Sequence, residues 1–460
     1  MPINADVARF VTCGAPAELP PGVVAEAKRA MVNAVGAALF ARDDPTVAVL
    51  RDWARRRAGP HGRHALLWCQ DRVLASDAAL VNAAQMHVAD FDDTHRPTYV
   101  HTSAPILAAL IARTGDRRTS GAELIRAYAL AVEAELLYAE LLFPSHYLRG
   151  FHITATVGAI GAAVAAGLLA GLDAGQTTHA IGLALAGAAG LVEMLGTSAN
   201  AYQVGNGAAA GLAAAELASS GLDSVATAFD GDRGYLHAAS DADPATAGRA
   251  AATLGRRWRG LEISYKAIAS ETITQAPVEG VLALRGRLDP ARRPRLAGIE
   301  VVGKPIVVDV VAQRARKFGD YPAEPMHARF DIRYCIAAAW VHGRWTPAEL
   351  SPAALADERI RWVRDRVRIA SHGRADGNDV LVRLEFDDGT TAEHFVAAFR
   401  GSAENPMSDD DLTAKLVGSA PDRASAARAQ RTAGLLWRLE TLPDVATLVA
   451  AMTAGGPDAA

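Results

Sequence analysis

The side chains best suited to chemistry lie in one stretch, residues 87–105, which reads HVADFDDTHRPTYVHTSAP. It holds three aspartates and three histidines. On a continuing helix Asp90 and Asp93 would share a face with His87, because residues three apart are neighbours on a helix surface. A carboxylate can fix the tautomer of a histidine, and histidine is the side chain that most often moves protons at neutral pH. The stretch therefore indicates proton-transfer chemistry, with Asp90 as the orienting carboxylate.

His101 lies in the loop before the next apolar helix. We expect Ser103 to cap that helix and Pro105 to lie in its first turn. The N–H groups at a helix N-terminus attract anions and favour a neutral imidazole. His101 is therefore a candidate general acid or base for a substrate that carries a carboxylate. A solvated helix cap would show the same residue pattern, and the sequence leaves this alternative open.

The flanking sequence predicts that buried helices position this stretch. AALVNAAQM leads into it and APILAALIA leads out of it, and a further helix is expected at Gly121–Leu142. His152 opens another apolar helix, and residues 152–172 contain no charged side chain. That length could cross a membrane, but the small Ala, Gly and Thr residues favour a buried core helix. A histidine at the start of such a helix is more often a packed core residue than a catalyst.

Composition narrows the class of protein. The chain has 460 residues and a formal net charge of −4, so we expect no nucleic-acid or membrane partner. Cys13, Cys69 and Cys335 are widely spaced and form no paired motif, which predicts free thiols in a reducing cytoplasm. The first residues lack the basic and apolar pattern of a signal peptide.

The pattern of apolar residues predicts two domains. Between helical parts, the sequence alternates in a strand-like way in IEVVGKPIVVDVV, RVRIAS, DVLVRLEF and TTAEHFVAAF. Helical sequence returns at a capping-box pattern formed by Ser408 and Asp411. The predicted fold class is mainly α, with an all-helical core domain at 1–257 and 403–460 and an inserted α+β lid domain at 258–402. We expect a small-molecule site in the cleft between these domains.

Several segments together resemble the MmgE/PrpD family, which includes 2-methylcitrate dehydratases, cis-aconitate decarboxylases and iminodisuccinate epimerases. The segments are AALVNAAQMHVADFDDTH, HTSAP at a helix start, HARFDIRYCIAAAWVHG and GSAENPMSDDDLTAKL, and the similarity covers about residues 5–450. Three positions depart from the family pattern: Asn200 stands where a Lys is usual, Ala269 where a Pro is usual, and Gln275 where a His is usual. The resemblance implies catalysis without a cofactor or metal, and a homodimer.

The resemblance also bears on the site residues. The predicted catalytic residues are His101, His152, Asp90 and Lys266. Lys266, at a position where the family has a Lys, would stabilise the developing anion. The predicted substrate-binding residues are Asp93, Thr94, Ser103, Asn200, Gln203, Tyr265 and Gln275.

The predicted function is a lyase of the dehydratase or decarboxylase type that acts on a small carboxylic acid. An isomerase or epimerase of the same fold is the first alternative. Asp90–Asp93 also fits the DxDD pattern of class II terpene cyclases, and the Asp/His cluster could ligate a divalent metal. The departures at Asn200 and Gln275 leave a non-catalytic scaffold open. Because Asn and Gln supply hydrogen bonds but no charge, we predict a substrate less negatively charged than citrate-type acids.

Overall fold

The contacts between residues divide the chain into two compact units. The computed structural model describes residues 2–374 and 379–453. The first unit is Met1–Tyr265 with Ser408–Ala460, and the second is Lys266–Met407. Helices build most of the first unit, and the largest sheet lies in the second. The expected mainly α fold class is confirmed.

Both breaks between the units come a few residues later than the boundaries expected after residues 257 and 402. The first comes later because a short strand that ends at Tyr265 pairs with a strand of the first unit. The expected outer limits of the core domain, residues 1 and 460, lie outside the described residues.

Helices occur in both units. In chain order they are α1 (Ile3–Arg9), α2 (Pro21–Phe40), α3 (Pro45–Ala58), α4 (Ala75–His87), α5 (Ser103–Thr114), α6 (Gly121–Leu142), α7 (Ser145–Leu148), α8 (Ile153–Ala170), α9 (Ala174–Gly187), α10 (Ser198–Ser219), α11 (Tyr235–Ala239), α12 (Ala245–Ala251), α13 (Thr272–Arg287), α14 (Pro305–Phe318), α15 (Pro325–Arg329), α16 (Ile332–His342), α17 (Pro352–Leu355), α18 (Glu358–Arg364), α19 (Asp409–Gly418), α20 (Arg423–Trp437) and α21 (Ala446–Met452).

Strands form two short pairs and one larger sheet. They are β1 (His64–Ala65), β2 (Arg72–Val73), β3 (Asp93–His95), β4 (Ile263–Tyr265), β5 (Leu296–Gly303), β6 (Val367–Ser371), β7 (Val380–Phe386) and β8 (Thr391–Val396). In the first unit β1 pairs with β2 and β3 with β4, both antiparallel. The sheet of the second unit has the order β6-β5-β7-β8, in which only the β5–β6 pair is parallel.

Glycines allow the helices around the candidate site to approach closely. A Cβ added at Gly205 of α10 would lie 2.3 Å from the main-chain oxygen of Leu80 in α4. A Cβ added at Gly211 would lie 2.3 Å from the main-chain oxygen of Ala159 in α8. Both distances are far below contact distance, so these positions require a residue without a side chain. Helix α10 therefore packs backbone to backbone against α4 and α8.

Helix α8 is the apolar helix expected after His152. By length and composition it could cross a membrane, and 89% of it is buried inside the protein. A largely buried helix of this composition is typical of a protein core.

The strand-like segment IEVVGKPIVVDVV is only partly a strand. Strand β5 ends at Gly303, and α14 begins at Pro305. Proline suits the first position of a helix, and the buried Val307, Val310 and Arg314 follow helical spacing. The expectation of a strand over the second half of this segment is wrong.

The capping box at Ser408 and Asp411 is present at the start of α19.

Candidate active site

The chain leaves the helical path directly after His87, where α4 ends. Asp90 adopts a left-handed backbone conformation, with φ 49°, which aspartate tolerates better than most residues. Asp93 then begins β3 and pairs with Tyr265 of β4. The expectation that Asp90 and Asp93 share a helix face with His87 is therefore wrong.

The carboxylate that contacts the histidines is Asp92. Its Oδ2 lies 2.8 Å from Nδ1 of His87, and its Oδ1 lies 3.2 Å from Nδ1 of His101. Burial alone would raise the pKa of this completely buried carboxyl, but His101 and His87 lower it well below its usual range through their charge and hydrogen bonds. Asp92 is therefore ionised, and it is the carboxylate placed to orient the two imidazole rings.

The charge of Asp90 acts on His152 and partly opposes the lowering of the pKa of that histidine by burial and by the charges of His87 and His101. The sequence could not distinguish Asp92 from Asp90, because the distinction depends on where α4 ends. The sequence indicated His87 only as a helical neighbour, but in the structure its ring lies near the rings of both other histidines. The centroids of His87 and His101 are 4.8 Å apart, and those of His87 and His152 are 5.9 Å apart.

His101 is held through its Nδ1 and its main chain. Nδ1 lies 2.8 Å from the main-chain oxygen of Asp93, to which it donates a hydrogen bond, and 3.4 Å from Oγ1 of the buried Thr94. The main-chain N–H of His101 donates to Oγ1 of Thr154 in α8. In a neutral ring with its proton on Nδ1, Nε2 is the basic nitrogen. With a side chain 13% exposed, His101 is also more accessible than His87.

His152 is buried directly before α8. Burial, and then the charges of His87 and His101, lower its pKa well below the usual range for histidine, so the ring is neutral at neutral pH. Its Nδ1 is buried and has no hydrogen-bond partner among the residues that the structure describes. Buried polar atoms are normally paired, so this nitrogen is suited to contact a bound molecule.

Asp93 caps helix α5 from a distance in sequence. Its carboxylate accepts hydrogen bonds from Oγ1 of Thr102 at 2.7 Å and from the main-chain N–H of Ser103 at 3.3 Å. Ser103 lies inside α5, and its hydroxyl contacts Oη of Tyr128 at 2.6 Å. The expected N-cap role of Ser103 is therefore wrong. Asp93 and Ser103 are completely buried, and these hydrogen bonds give both residues a structural role at the start of α5.

Asn200 and Gln203 of α10 support the cluster from another side. Nδ2 of Asn200 donates to Nε2 of His87 at 3.3 Å, and Nε2 of Gln203 donates to Oδ1 of Asn200 at 3.2 Å. The Gln203 amide also pairs with the main chain of Leu191 in both directions. The position where the family usually has a Lys is thus occupied by a neutral amide that contacts a histidine of the cluster.

Tyr265 is buried, and its hydroxyl donates to the Glu26 carboxylate. Glu26 in turn forms an ion pair with Arg29 at 3.1 Å. Tyr265 thus anchors β4 to α2.

Lys266 and Gln275 belong to the second unit, and both are buried. The Gln275 side chain accepts from the main-chain N–H groups of Ala267 and Ile268 and donates to the oxygen of Ile268. These bonds hold the loop after Lys266 in shape, which gives Gln275 a structural role.

A divalent metal is a chemical alternative to proton transfer. His87, Asp92 and His101 offer ligand atoms within 4.8 Å of one another. Imidazole nitrogen and carboxylate oxygen are ligands that zinc and other transition metals accept. Two of these residues already pair with each other, since Nδ1 of His87 lies 2.8 Å from Oδ2 of Asp92, so the cluster also fits a proton-transfer network.

Comparison with known proteins identifies the family. The MmgE/PrpD N-terminal domain matches residues 5–247, and the MmgE/PrpD C-terminal domain matches residues 268–441. The chain belongs to the MmgE/PrpD family. It is 24% identical to the cis-aconitate decarboxylase-like protein oryM of Aspergillus oryzae, over 97% of this chain and 96% of the relative.

Two further relatives carry a related name. A cis-aconitate decarboxylase of Aspergillus terreus is 25% identical over 81% of this chain and 80% of its own length. The cis-aconitate decarboxylase of Homo sapiens is 21% identical over 95% of this chain and 91% of its own length. Together, the family and these relatives support a lyase-type function at the family level.

Proposed function

We propose that this protein is a cofactor-independent lyase that acts by proton transfer next to a carboxylate of a small organic acid. The observation that carries the proposal is the buried cluster of His87, His101 and His152 around the ionised Asp92. Dehydration and decarboxylation of such acids both develop negative charge on a carbon beside a carboxylate or carbonyl. Both therefore need a positioned acid or base.

His101 is the proposed general base or acid. Asp92 and the main-chain oxygen of Asp93 face its Nδ1, which leaves Nε2 as the basic nitrogen that exchanges a proton with the substrate. His152, neutral and with an unpaired Nδ1, is the second proton-transfer group. The resemblance keeps Lys266 as the proposed cation for the developing anion.

The N-terminus of α5, which the sequence suggested as an anion site, is already partly occupied. Its N–H at Ser103 donates to the Asp93 carboxylate. We therefore propose that other groups also help to hold a substrate carboxylate. Asn200 adds no charge at the cluster, where a Lys is usual in the family. We propose that the substrate carries fewer negative charges than the citrate-type acids, since each buried carboxylate requires a compensating cation or donor.

A direct assay tests both parts of this proposal. The purified protein is incubated with cis-aconitate, citrate and 2-methylcitrate, and with a panel of mono- and dicarboxylic acids and their amides, while products and CO2 are measured. We expect turnover of a less charged acid and loss of that turnover in His101→Ala. Efficient turnover of a tricarboxylate would contradict the charge proposal and leave the lyase proposal intact. Absence of turnover across the panel would favour the scaffold alternative.

An isomerase or epimerase is the second candidate, because the structure offers two histidines that could exchange protons. The rings of His101 and His152 both lie near the ring of His87. One could remove a proton while the other returns it to the opposite face. Deuterium incorporation from D2O into recovered substrate, without elimination or loss of CO2, would favour this activity.

A class II terpene cyclase is not favoured, because its DxDD acid must be protonated and Asp92, the corresponding residue, is ionised. We also propose that the protein is a cytoplasmic homodimer. Light scattering would measure the mass of the particle in solution.

A further inference from the structure

The second unit contains an open cavity of about 470 Å³ that the proposed reaction does not use. Its lining includes three buried apolar side chains, Leu296, Trp340 and Val363, together with Trp362, which is 43% exposed. Small-molecule sites typically have volumes of roughly 300–1,000 Å³ and mostly apolar walls with a few polar groups. The size and the indole rings fit a ligand with a flat apolar body.

Two half-buried arginines line the same cavity. Arg285 of α13 donates to the main-chain oxygens of Trp340 and Val341, and Arg293 donates to the main-chain oxygen of Arg285. These acceptors are neutral. Within residues 2–374 and 379–453, neither guanidinium forms an ion pair with a carboxylate.

The positive charge of this arginine pair is not compensated locally. Burial, and then the charge of Arg293, lower the pKa of Arg285, which shows that the two guanidinium groups act on each other. Nε of Arg293 is buried and has no hydrogen-bond partner in the described part of the chain. An unpaired buried donor is unfavourable. An anion between these side chains would relieve the repulsion between the two guanidinium groups.

The other charged residues of the lining do not remove this excess. Glu358 is exposed, and Arg359 is paired with Asp357 at 2.6 Å. The cavity therefore combines an apolar wall with an excess of positive charge.

We propose that this cavity binds a small organic anion with an aromatic or similarly flat apolar body. Its carboxylate, or a group of like charge, would pair with Arg285 and Arg293, whose planar guanidinium groups suit carboxylate geometry. Its body would lie against Trp340 and Trp362. This binding site is independent of the lyase proposal, because all of its residues belong to the second unit and none belongs to the histidine cluster.

The test is a titration of the full-length protein with 4-(trifluoromethyl)benzoate, followed by 19F NMR, with 4-(trifluoromethyl)benzamide as the neutral probe of the same shape. We expect the benzoate to bind and the benzamide to bind more weakly. Arg293→Gln is expected to weaken benzoate binding roughly ten- to hundredfold, as for loss of a charged hydrogen bond. Arg287→Gln is the matched control, because Arg287 is exposed on the same helix as Arg285 and does not line the cavity.

Two further variants separate the alternatives. His101→Ala should retain benzoate binding, which excludes binding at the histidine cluster. Trp362→Ala, at a partly exposed position, should weaken binding even if Arg293→Gln fails to fold. Equal affinities for the two probes, undiminished binding in both cavity variants, loss of binding only in His101→Ala, or no binding at all would overturn the proposal. The proposal would also be overturned if no ligand binds and Trp362→Ala converts a dimer into a monomer. That result would assign the surface around Trp362 to contact with a second copy of the chain.

Discussion

Oδ1 of Asp92 lies 3.2 Å from Nδ1 of His101, and no part of the Asp92 side chain is exposed to solvent. A buried charge is strongly unfavourable unless it is paired. The two histidine rings that face Asp92 supply the pairing, and in return the carboxylate favours the proton on Nδ1 of His101. The tautomer of the proposed base is thus set by a charge that solvent cannot screen.

We predict that His101→Ala and Asp92→Asn each lower kcat by roughly 10²–10⁴-fold, the usual contribution of a general acid or base. Asp92→Asn keeps the shape of the side chain but removes the charge that orients His101. Steady-state rates with the best acid of the panel, beside circular dichroism of each variant, measure the effect. A folded variant with undiminished kcat would refute the role of the substituted residue.

The neighbouring Asp93 should respond differently. Asp93→Ala leaves the Thr102 hydroxyl and the Ser103 N–H without their acceptor, at a cost of about 1–3 kcal/mol. We expect a lower melting temperature, with partial recovery in Asp93→Asn, whose side-chain oxygen still accepts a hydrogen bond. Differential scanning calorimetry measures both. An unchanged melting temperature with a raised KM would instead restore Asp93 to the substrate-binding set.

Activity should survive removal of metal ions. Although His87, Asp92 and His101 offer donors within 4.8 Å, the proposed chemistry uses them as a hydrogen-bonded relay. The rate is compared before and after dialysis against EDTA, with metal content measured in parallel. Complete loss, reversed by one divalent cation, would assign the cluster to a metal.

Asn200→Lys should shift the preference towards more highly charged acids, because it places a cation beside His87. Asn200→Met is the matched control, because the Met side chain is close in length to Lys but has no charge. Both variants lose the hydrogen bonds of the Asn200 amide. We expect the ratio of kcat/KM for cis-aconitate to that for the preferred acid to rise in Asn200→Lys only. Identical ratios in the two variants would contradict the electrostatic explanation.

His146 should make the stability of the protein depend on pH. Burial lowers its pKa to about 4 from an unfolded value of 6.5, and its ring is held by the oxygens of Ala239 and Thr156. Because the unfolded chain takes up a proton on this histidine more readily than the folded protein does, the free energy of unfolding depends on pH. It is highest above pH 6.5 and falls as the pH falls from there towards 4. The loss at pH 5 is roughly 2 kcal/mol.

Melting temperatures measured between pH 7.5 and 5 test this expectation. The fall should be smaller in His146→Asn than in the unsubstituted protein, although the variant is less stable at every pH. Equal slopes for the two proteins would show that His146 does not cause the dependence.

The sequence predicted local features well. The helix expected at Gly121–Leu142 has those bounds in the structure, and the capping box at Ser408 is formed. These depend on neighbours in the chain. Which aspartate contacts the histidines, Asp92 or Asp90, does not depend on chain neighbours alone. It follows from the turn after α4 and from the pairing of β3 with a strand about 170 residues later.

The wrong N-cap expectation at Ser103 has a related cause, and Gln275 shows the same kind of tertiary contact. Ser103 has the residue type of a helix cap, but an Asp ten residues earlier performs that function. Gln275 was aligned with a family position, but its amide binds the main chain of its own loop. Residue type and alignment identified where polar groups lie, and only the tertiary hydrogen bonds show which of them are already occupied.

The glycine contacts of α10 affect how this protein could acquire a new specificity. Gly205 and Gly211 fix the spacing of α10 from α4 and α8, and these three helices present Asn200, His87 and His152. A side chain at either glycine would push α10 away from its neighbours and displace the groups of the cluster. A change of specificity that keeps this backbone is therefore expected to come from exchanges of Asn200 and the side chains around it, and not from changes at the glycines.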